Sequence, residues 1–381
     1  MKSIQRKNSI CFITVSHPIY GLGGAEIQSY IYAKEFSRQG WEVFFLSQEG
    51  EKKGEFDNIG IKLIKYCKPK NAISHNFKLI ILLFKIRPNV IFYRFHRYQI
   101  FTIVIIAKLI GARVIWSIMS DNRCGRVAST IESRENMKIK IRRRLSAYYL
   151  CKYYLQDLLF YVGIKNVLFI IAQNKYQQNV VEKAFKKKSS ILYSGVPIPE
   201  YNATRKNQVV FIATMKYMKN PEIFCEISKK FNRKDIQFIL IGENYSEPKL
   251  AKRLENLIKE SDVIYLGKQN YPFVGKILSE SKVLVNCSDF EGFPNTFILS
   301  WVHGTPVVSL KVDPDNLIKN EKLGCICEGN IDQMIKYIND ITSNLSLWQN
   351  CSTHIYNYSK HKFNITNSVK NLISIIRSNY C

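Results

Sequence analysis

Acidic residues are scarce. Only 30 Asp and Glu stand against 56 Lys and Arg, a formal net charge of +26 over 381 residues. Such a surplus suits anionic partners: nucleic acid, an anionic membrane face or anionic substrates. It says nothing about fold. Long hydrophobic runs are also missing. Runs such as Ile80–Phe84 and Ile103–Ala107 fall far short of the ~20 apolar residues that span a bilayer, so the expectation is a soluble or peripheral protein. Cysteines lack a pairing pattern. Ten are scattered, the only close pair is Cys325 and Cys327, and no second pair follows at zinc-ligand spacing. This argues against a disulfide scaffold and for reduced thiols in the cytosol. The basic, then apolar start lacks a small-residue cleavage site, so it reads as a short strand and not as a signal peptide. Repeats and low-complexity segments are absent.

What is present is alternation. Ile10–Val15 reads as a strand, a loop with Gly21, Gly23 and Gly24 follows, a helix runs to about Gln39, and Trp41–Leu46 is the next strand. Glycines at the first βα turn of such a unit commonly meet phosphate, although their spacing does not match the dinucleotide fingerprint and a tight turn explains them as well. Further strands are expected at Val90–Arg94, Arg113–Ile118, Val167–Ala172 and Ser190–Tyr193. The turn formers of residues 194–202 read as a linker. A second series follows at Gln208–Thr214, Ile236–Ile241, Val263–Leu266, Val283–Asn286 and Pro306–Ser309. Two series of buried strands with crossover helices imply an α/β protein of two parallel-sheet domains, with a ligand between them at the carboxyl ends of the strands.

Residues 288–310 concentrate the chemistry. An acidic, aromatic turn, Ser288 to Asn295, is followed by an apolar segment, Thr296 to Val302, then His303-Gly304-Thr305-Pro306 and the β-branched Val307-Val308. The reading is strand, turn, helix, stop, strand. Gly292 lets backbone approach a ligand closely. Pro294 stands where a first helical turn tolerates it. Unpaired N–H groups at a helix start, with the helix dipole, make an anion site, and Glu291 beside it accepts hydrogen bonds from hydroxyls. An ordinary turn with a surface Glu accounts for the same residues equally well. His303 reads as a structural residue at a helix C-terminus, where a cation favours the dipole.

Charge clusters in the first half. Lys138, Lys140, Arg142, Arg143, Arg144 and Lys152 are interleaved with apolar and aromatic residues, and seven Lys and Arg surround apolar residues in 61–87. A basic, aromatic, amphipathic stretch lies well on an anionic membrane surface; a solvated helix face is the plainer alternative.

Several stretches together resemble a known family. They are Glu291-Gly292-Phe293-Pro294-Asn295, Gly304-Thr305-Pro306-Val307-Val308, and Lys216 with Lys219-Asn220-Pro221-Glu222. Phe238–Gly242 and Val263–Gly267 add two strands, and Gly23-Gly24-Ala25-Glu26 and Leu192–Val196 extend the likeness into the first half. The chain resembles the retaining glycosyltransferases of family 4, or group 1, whose GT-B fold is two Rossmann-like parallel-sheet domains facing across a cleft. The resemblance implies a basic, acceptor-side domain at 1–197, a nucleotide-sugar domain at 198–365 and a last helix, 366–381, packing back on the first.

It also implies an activity. A sugar passes from a UDP- or GDP-sugar to a hydroxyl of a saccharide, with retention at the anomeric carbon. The acceptor would be lipid-linked, for a surface polysaccharide made at the inner membrane face. Glu291, Gly292, Phe293 and Pro294 would hold the donor sugar. Gly23, Gly24, Lys216, Lys219, Asn295 and Thr296 would hold its diphosphate. Glu291, Lys219 and Asp121 are the catalytic candidates, and His17 and Ser120 are possible cleft residues. The chemistry fits, because charge builds on the leaving diphosphate and cations and N–H groups must meet it. For Lys216 and Lys219 a solvated pair is the plain alternative, for Asp121 a helix cap, and for His17 a structural role. No Asp-x-Asp pair is placed for a divalent ion, no cofactor is required, and no nucleic-acid partner is expected.

The chain departs from the pattern in two places. The family's second Glu, eight residues after the first, holds the ribose; here Leu299 stands there, and a buried ribose hydroxyl left unpaired loses roughly 1–3 kcal/mol. The family's first-domain His falls within Ile118-Met119-Ser120-Asp121-Asn122, at Ser120 or Asp121. A nucleotide-sugar epimerase of the same fold lacks its carboxylates and His here. A nucleic-acid-binding protein rests on charge alone. A binder of the same fold without transferase activity stays open through Leu299.

Overall fold

The computed structural model describes residues 8–14, 24–47, 60–65, 72–95, 98–121, 124–125, 147–231, 233–245 and 247–378. The chain divides into two compact units, Met1–Tyr193 with Ser368–Cys381, and Ser194–Asn367. Both are parallel sheets with helical crossovers.

The first unit runs β1 (Ser9–Ile13), α1 (Gly24–Arg38), β2 (Glu42–Ser47), β3 (Ile61–Lys65), α2 (Ala72–Ile86), β4 (Val90–Tyr93), α3 (Gln99–Ile110), β5 (Arg113–Ser117), α4 (Ala147–Lys165), β6 (Phe169–Ala172), α5 (Lys175–Phe185) and β7 (Ser189–Ile191). Its sheet order is β3-β2-β1-β4-β5-β6-β7, so the order reverses between β1 and β4. Cys11, Ile91, Tyr93 and Trp116 turn one face of the sheet toward Leu79 and Leu83 of α2, Ile103 of α3, Phe160 of α4 and Phe185 of α5. The alternate residues meet α1, where Phe12 packs edge-on to Phe36 at 6.0 Å and Phe92 stacks on Tyr32 at 5.8 Å. Residues 61–87 are therefore not one amphipathic stretch. The alternation Ile-Lys-Leu-Ile-Lys forms edge strand β3, with Lys62 paired to Glu42 of β2, and a helix follows. Of the second basic cluster, Lys152 lies on α4, while Lys138, Lys140 and Arg142 to Arg144 lie outside the described residues.

The second unit runs β8 (Gln208–Ile212), α6 (Pro221–Lys229), β9 (Gln237–Ile241), α7 (Pro248–Lys259), β10 (Val263–Tyr265), α8 (Tyr271–Glu280), β11 (Val283–Asn286), α9 (Asn295–Val302), β12 (Val307–Ser309), α10 (Leu317–Asn320), β13 (Gly324–Ile326), α11 (Ile331–Ser343) and α12 (Leu345–Lys362). α13 (Ile365–Ser378) starts in this unit and ends in the first. The sheet order is β10-β9-β8-β11-β12-β13, reversing between β8 and β11. A run of rings, Phe211 to Phe224 at 5.4 Å and Phe224 to Phe238 at 5.7 Å, fills the core on the α6 side. Among the described residues no helix is long and apolar enough to cross a membrane.

α9 is fixed from both ends. Trp301, fully buried, donates its indole N–H to the Leu323 carbonyl at 2.9 Å and stacks on Phe363 at 5.6 Å. At the C-terminus the cation is Arg205. Its guanidinium donates to the carbonyls of His303 and of Leu278, the latter at 2.8 Å, and lies over Trp348. His303 itself is structural and not the cation of this helix end. Burial, and then the neighbouring Arg205, push its imidazole down to about 4, so it is neutral at pH 7.

Two stability predictions follow from these packings. Gly242 ends β9 at φ 152, and a Cβ there would stand 1.6 Å from the Ala213 carbonyl oxygen. Gly242→Ala is expected to cost about 1–3 kcal/mol or more in denaturant titration, against about 1 kcal/mol for Gly267→Ala, where φ is 64 and no atom lies within 4 Å. For His303, the folded value of about 4 lies below the ordinary 6.5. Between those values the unfolded chain binds a proton that the folded chain refuses, so stability falls as pH drops through this window, by up to about 3 kcal/mol. His303→Gln should flatten that part of the stability-against-pH curve.

Candidate functional site

β8 and β11 are hydrogen-bonded neighbours at the point where strand order reverses. Their carboxyl-end loops, 213–220 and 287–294, therefore emerge side by side. In a doubly wound sheet this is where a ligand crevice forms. The loops are tied together. Asp289 N–H donates to the Met218 carbonyl at 2.9 Å. Asn220, in the left-handed region at φ 48, donates its amide to the Cys287 carbonyl at 3.0 Å and to the Asp289 carboxylate at 2.9 Å. Lys311 meets the same carboxylate at 2.6 Å. The hydrogen bonds from Lys311 and Asn220 hold the Asp289 carboxyl below the usual carboxylate range.

Glu291 sits at the centre of this arrangement. Its Oε1 accepts from the Ser288 hydroxyl at 2.7 Å and from the Asn286 amide at 2.9 Å. Asn286 is itself positioned by the Ser309 hydroxyl of β12, at 3.3 Å from its Oδ1. Oε2 of Glu291 pairs with Lys219 Nζ at 2.7 Å, both side chains being largely but not fully buried. A carboxylate held by two neutral donors and one ammonium is oriented, with 16% of its side chain still exposed. Lys216 is exposed and makes no ion pair among the described residues. The structure brings Lys219 to Glu291 and leaves Lys216 exposed.

The rest of the second-unit set lines up along one turn. Gly292 is half-buried. Phe293 turns its ring into the core, edge-on to Trp301 at 6.4 Å and to Phe363 at 6.3 Å, so only its backbone is left for a ligand. Pro294 is buried and occupies the cap position of α9, one residue ahead of the helix. Asn295 and Thr296, half-buried, open the helix. Leu299 is 7% exposed among the core residues of α9, and Ser300 is buried with its hydroxyl on the Thr305 carbonyl at 2.8 Å. Neither takes the place of the missing carboxylate.

In the first unit, Asp121 follows β5 and is 8% exposed. Its Oδ1 accepts from Gln177 at 2.7 Å and from Asn174 at 3.1 Å. Asn174 caps α5 by accepting from the Gln177 N–H at 2.7 Å. Ser120, next to it, is half-buried, and Gly24 is the exposed first residue of α1. His17 and Gly23 lie outside the described residues. Among the described residues no group of three or more His, Cys, Asp or Glu is placed to hold a metal. The sequence reading missed Asn286, Ser288 and Ser309. A signal existed: two polar residues close an otherwise apolar strand, Val283-Leu284-Val285-Asn286-Cys287-Ser288.

Residues 206–344 match the model of the family described as Glycosyl transferases group 1. Nothing among curated proteins matches the chain. Among solved structures it is similar to HepE of Anabaena in complex with UDP and glucose, at TM-score 0.72 and 14% identity over 97% of this chain and 100% of that one. Sucrose-phosphate synthase of Thermosynechococcus elongatus gives TM-score 0.75 and 13% identity over 98% and 99%. A TarM variant of S. aureus, in complex with fondaparinux, alpha-GlcNAc-glycerol and UDP, gives 0.70 and 13% over 97% and 99%. At such identities the likeness is one of fold: two parallel-sheet α/β units, as in the GT-B glycosyltransferases.

The hydrogen bonds to Glu291 make a direct test. Ser288→Ala removes one of the two neutral donors on Oε1, and about 1 kcal/mol of stability should go with it. Denaturant titration measures this. A midpoint unchanged from wild type would mean that the Ser288–Glu291 bond contributes nothing.

Proposed function

We propose, from a group 1 glycosyl transferase domain with an oriented carboxylate at its strand-order reversal, that the chain moves a sugar from a UDP- or GDP-sugar to a saccharide hydroxyl. The observation that carries this is Glu291, charged, fixed at Oε1 by Ser288 and Asn286, and one short turn from the start of α9. The carboxylate takes hydrogen bonds from donor-sugar hydroxyls. The amides of Gly292, Phe293 and Asn295, with Thr296, meet the sugar or diphosphate. Lys219 and Lys216 neutralise the charge that grows on the leaving diphosphate. By the family resemblance, Gly23 and Gly24 are assigned to the donor phosphate, and Asp121, Ser120 and His17 to the sugar side.

In this reading the anomeric configuration is retained, as the family resemblance implies; with no side chain standing out as a nucleophile among the described residues, the reaction is a front-face one in which the leaving phosphate assists deprotonation of the acceptor. The acceptor is a saccharide, lipid-linked, in surface polysaccharide synthesis, and the basic first unit works at an anionic membrane face. That HepE and TarM were each captured with UDP supports a uridine nucleotide. With Leu299 in the core of α9, the ribose is held by groups other than a side chain at that position.

A donor panel tests the proposal. Purified protein is incubated with UDP- and GDP-sugars and saccharide acceptors, and products are read by mass spectrometry. Transfer from one donor is expected, with Glu291→Ala lowering kcat/KM by at least 100-fold. In parallel, the right nucleotide at 100-fold over its Kd should stabilise the fold by about 2.7 kcal/mol. A folded wild type that neither binds nor transfers from any of these donors would overturn the reading.

A further inference from the structure

The helices that cover one face of the first sheet are apolar on their outer side as well. On α2, Phe77, Ile81 and Phe84 stand at i, i+4 and i+7, exposed by 63%, 50% and 38%. On α3 Ile105 and Leu109 follow the same spacing, Leu109 being 68% exposed. On α4 Leu155, Leu158 and Val162 do so, with Tyr154 beside them. These are not scattered residues. α3 packs against both α2 and α4, and Gly163 of α4 lies so close to α3 that a Cβ there would meet Ile100 Cγ2 at 2.6 Å and Phe101 N at 2.9 Å. The inner sides of the same helices bury Leu79, Leu83, Ile103, Phe160 and Ile164 in the core. A helix apolar all round is ordinarily covered on all sides, and a contiguous exposed apolar patch marks an interaction site.

Charge on this layer has one sign. The three helices carry a single carboxylate, Asp157, and it is buried. Lys78, Lys85, Lys108, Lys152 and Lys165 are all exposed around the apolar stripes. An apolar strip fringed by ammonium groups fits a surface that is apolar beneath and anionic at its rim, which describes the headgroup boundary of an anionic bilayer.

We propose that the outer face of α2, α3 and α4 is a membrane-docking surface that inserts its apolar stripes into the headgroup boundary of anionic lipid. This deepens, and rests on, the reading that the acceptor is membrane-borne. The test involves no sugar, so its failure and the failure of that reading are distinguishable. The full chain is sedimented with vesicles of phosphatidylcholine alone, and of phosphatidylcholine with phosphatidylglycerol, at low and high salt. Binding to the anionic vesicles should be at least tenfold tighter, and should be weakened but not abolished by salt, because the apolar part is not screened. Ile81→Asp, Leu109→Asp and Leu158→Asp combined should lower partitioning at least tenfold, with the thermal midpoint and the nucleotide-induced shift unchanged. Lys78→Gln, Lys85→Gln and Lys108→Gln combined should remove the preference for anionic lipid. The proposal fails if wild type ignores vesicles, or if the triple Asp variant binds them equally well. It also fails if sedimentation velocity shows a wild-type dimer that the Asp variant dissolves, since the face would then be covered by a second copy.

Discussion

The parallel pairing of β8 with β11 is the constraint from which the second unit's site follows. Valines 209 and 283, and their neighbours up to Phe211 and Val285, lie in register. Loops 213–220 and 287–294 consequently leave the sheet at one edge, though far apart in sequence. Everything polar in the site is a consequence of that adjacency. Asn220 reaches Cys287 and Asp289, and Lys219 reaches Glu291. Shift β11 by one residue and the side-chain alternation sends Asn286 to the wrong face, which removes a donor from the Glu291 carboxylate and the acceptor from Ser309.

That polar arrangement stands on an apolar one. Phe293 packs edge-on to the stacked pair of Trp301 and Phe363, so the chain after Glu291 cannot swing outward without breaking an aromatic cluster. Arg205 holds the other end of α9 through the His303 carbonyl. A guanidinium at the C-terminus is favourable to the dipole, and it adds to the burial that keeps the His303 imidazole neutral. The two effects are one electrostatic fact: a site with one cation in place has no use for a second. The N-terminus of α9, by contrast, has no side-chain cap, since Pro294 occupies the cap position.

Much of the fold was legible because parallel strands buried on both faces read as short β-branched runs. Val283–Asn286 and Val90–Tyr93 were found on that signal. β13 was not, because Gly-Cys-Ile is too short and too weak a pattern to stand out. β3 was hidden in a basic stretch because its alternation of Ile and Lys belongs to an edge strand with one wet side. Of the site, Glu291 and Lys219 could be named from a motif, but their pairing could not. It depends on which strands are neighbours, and hydrophobic period does not encode sheet order. His303 read as structural, and it is: burial first, and then Arg205, keep its imidazole neutral, while Arg205 supplies the cation at that helix end.

The charges of the site narrow what it can hold. Glu291 and Lys219 satisfy one another, largely shielded from water. A purely anionic ligand would draw Lys219 away and leave a buried carboxylate facing like charge, which is costly. A neutral, hydroxyl-rich ligand would satisfy Glu291 but leave Lys219 without a counter-charge. A ligand that resolves both demands must carry hydroxyls at one end, to donate to the carboxylate, and negative charge at the other, to take over the ammonium. A sugar joined to a diphosphate has this composition, and neither half alone does.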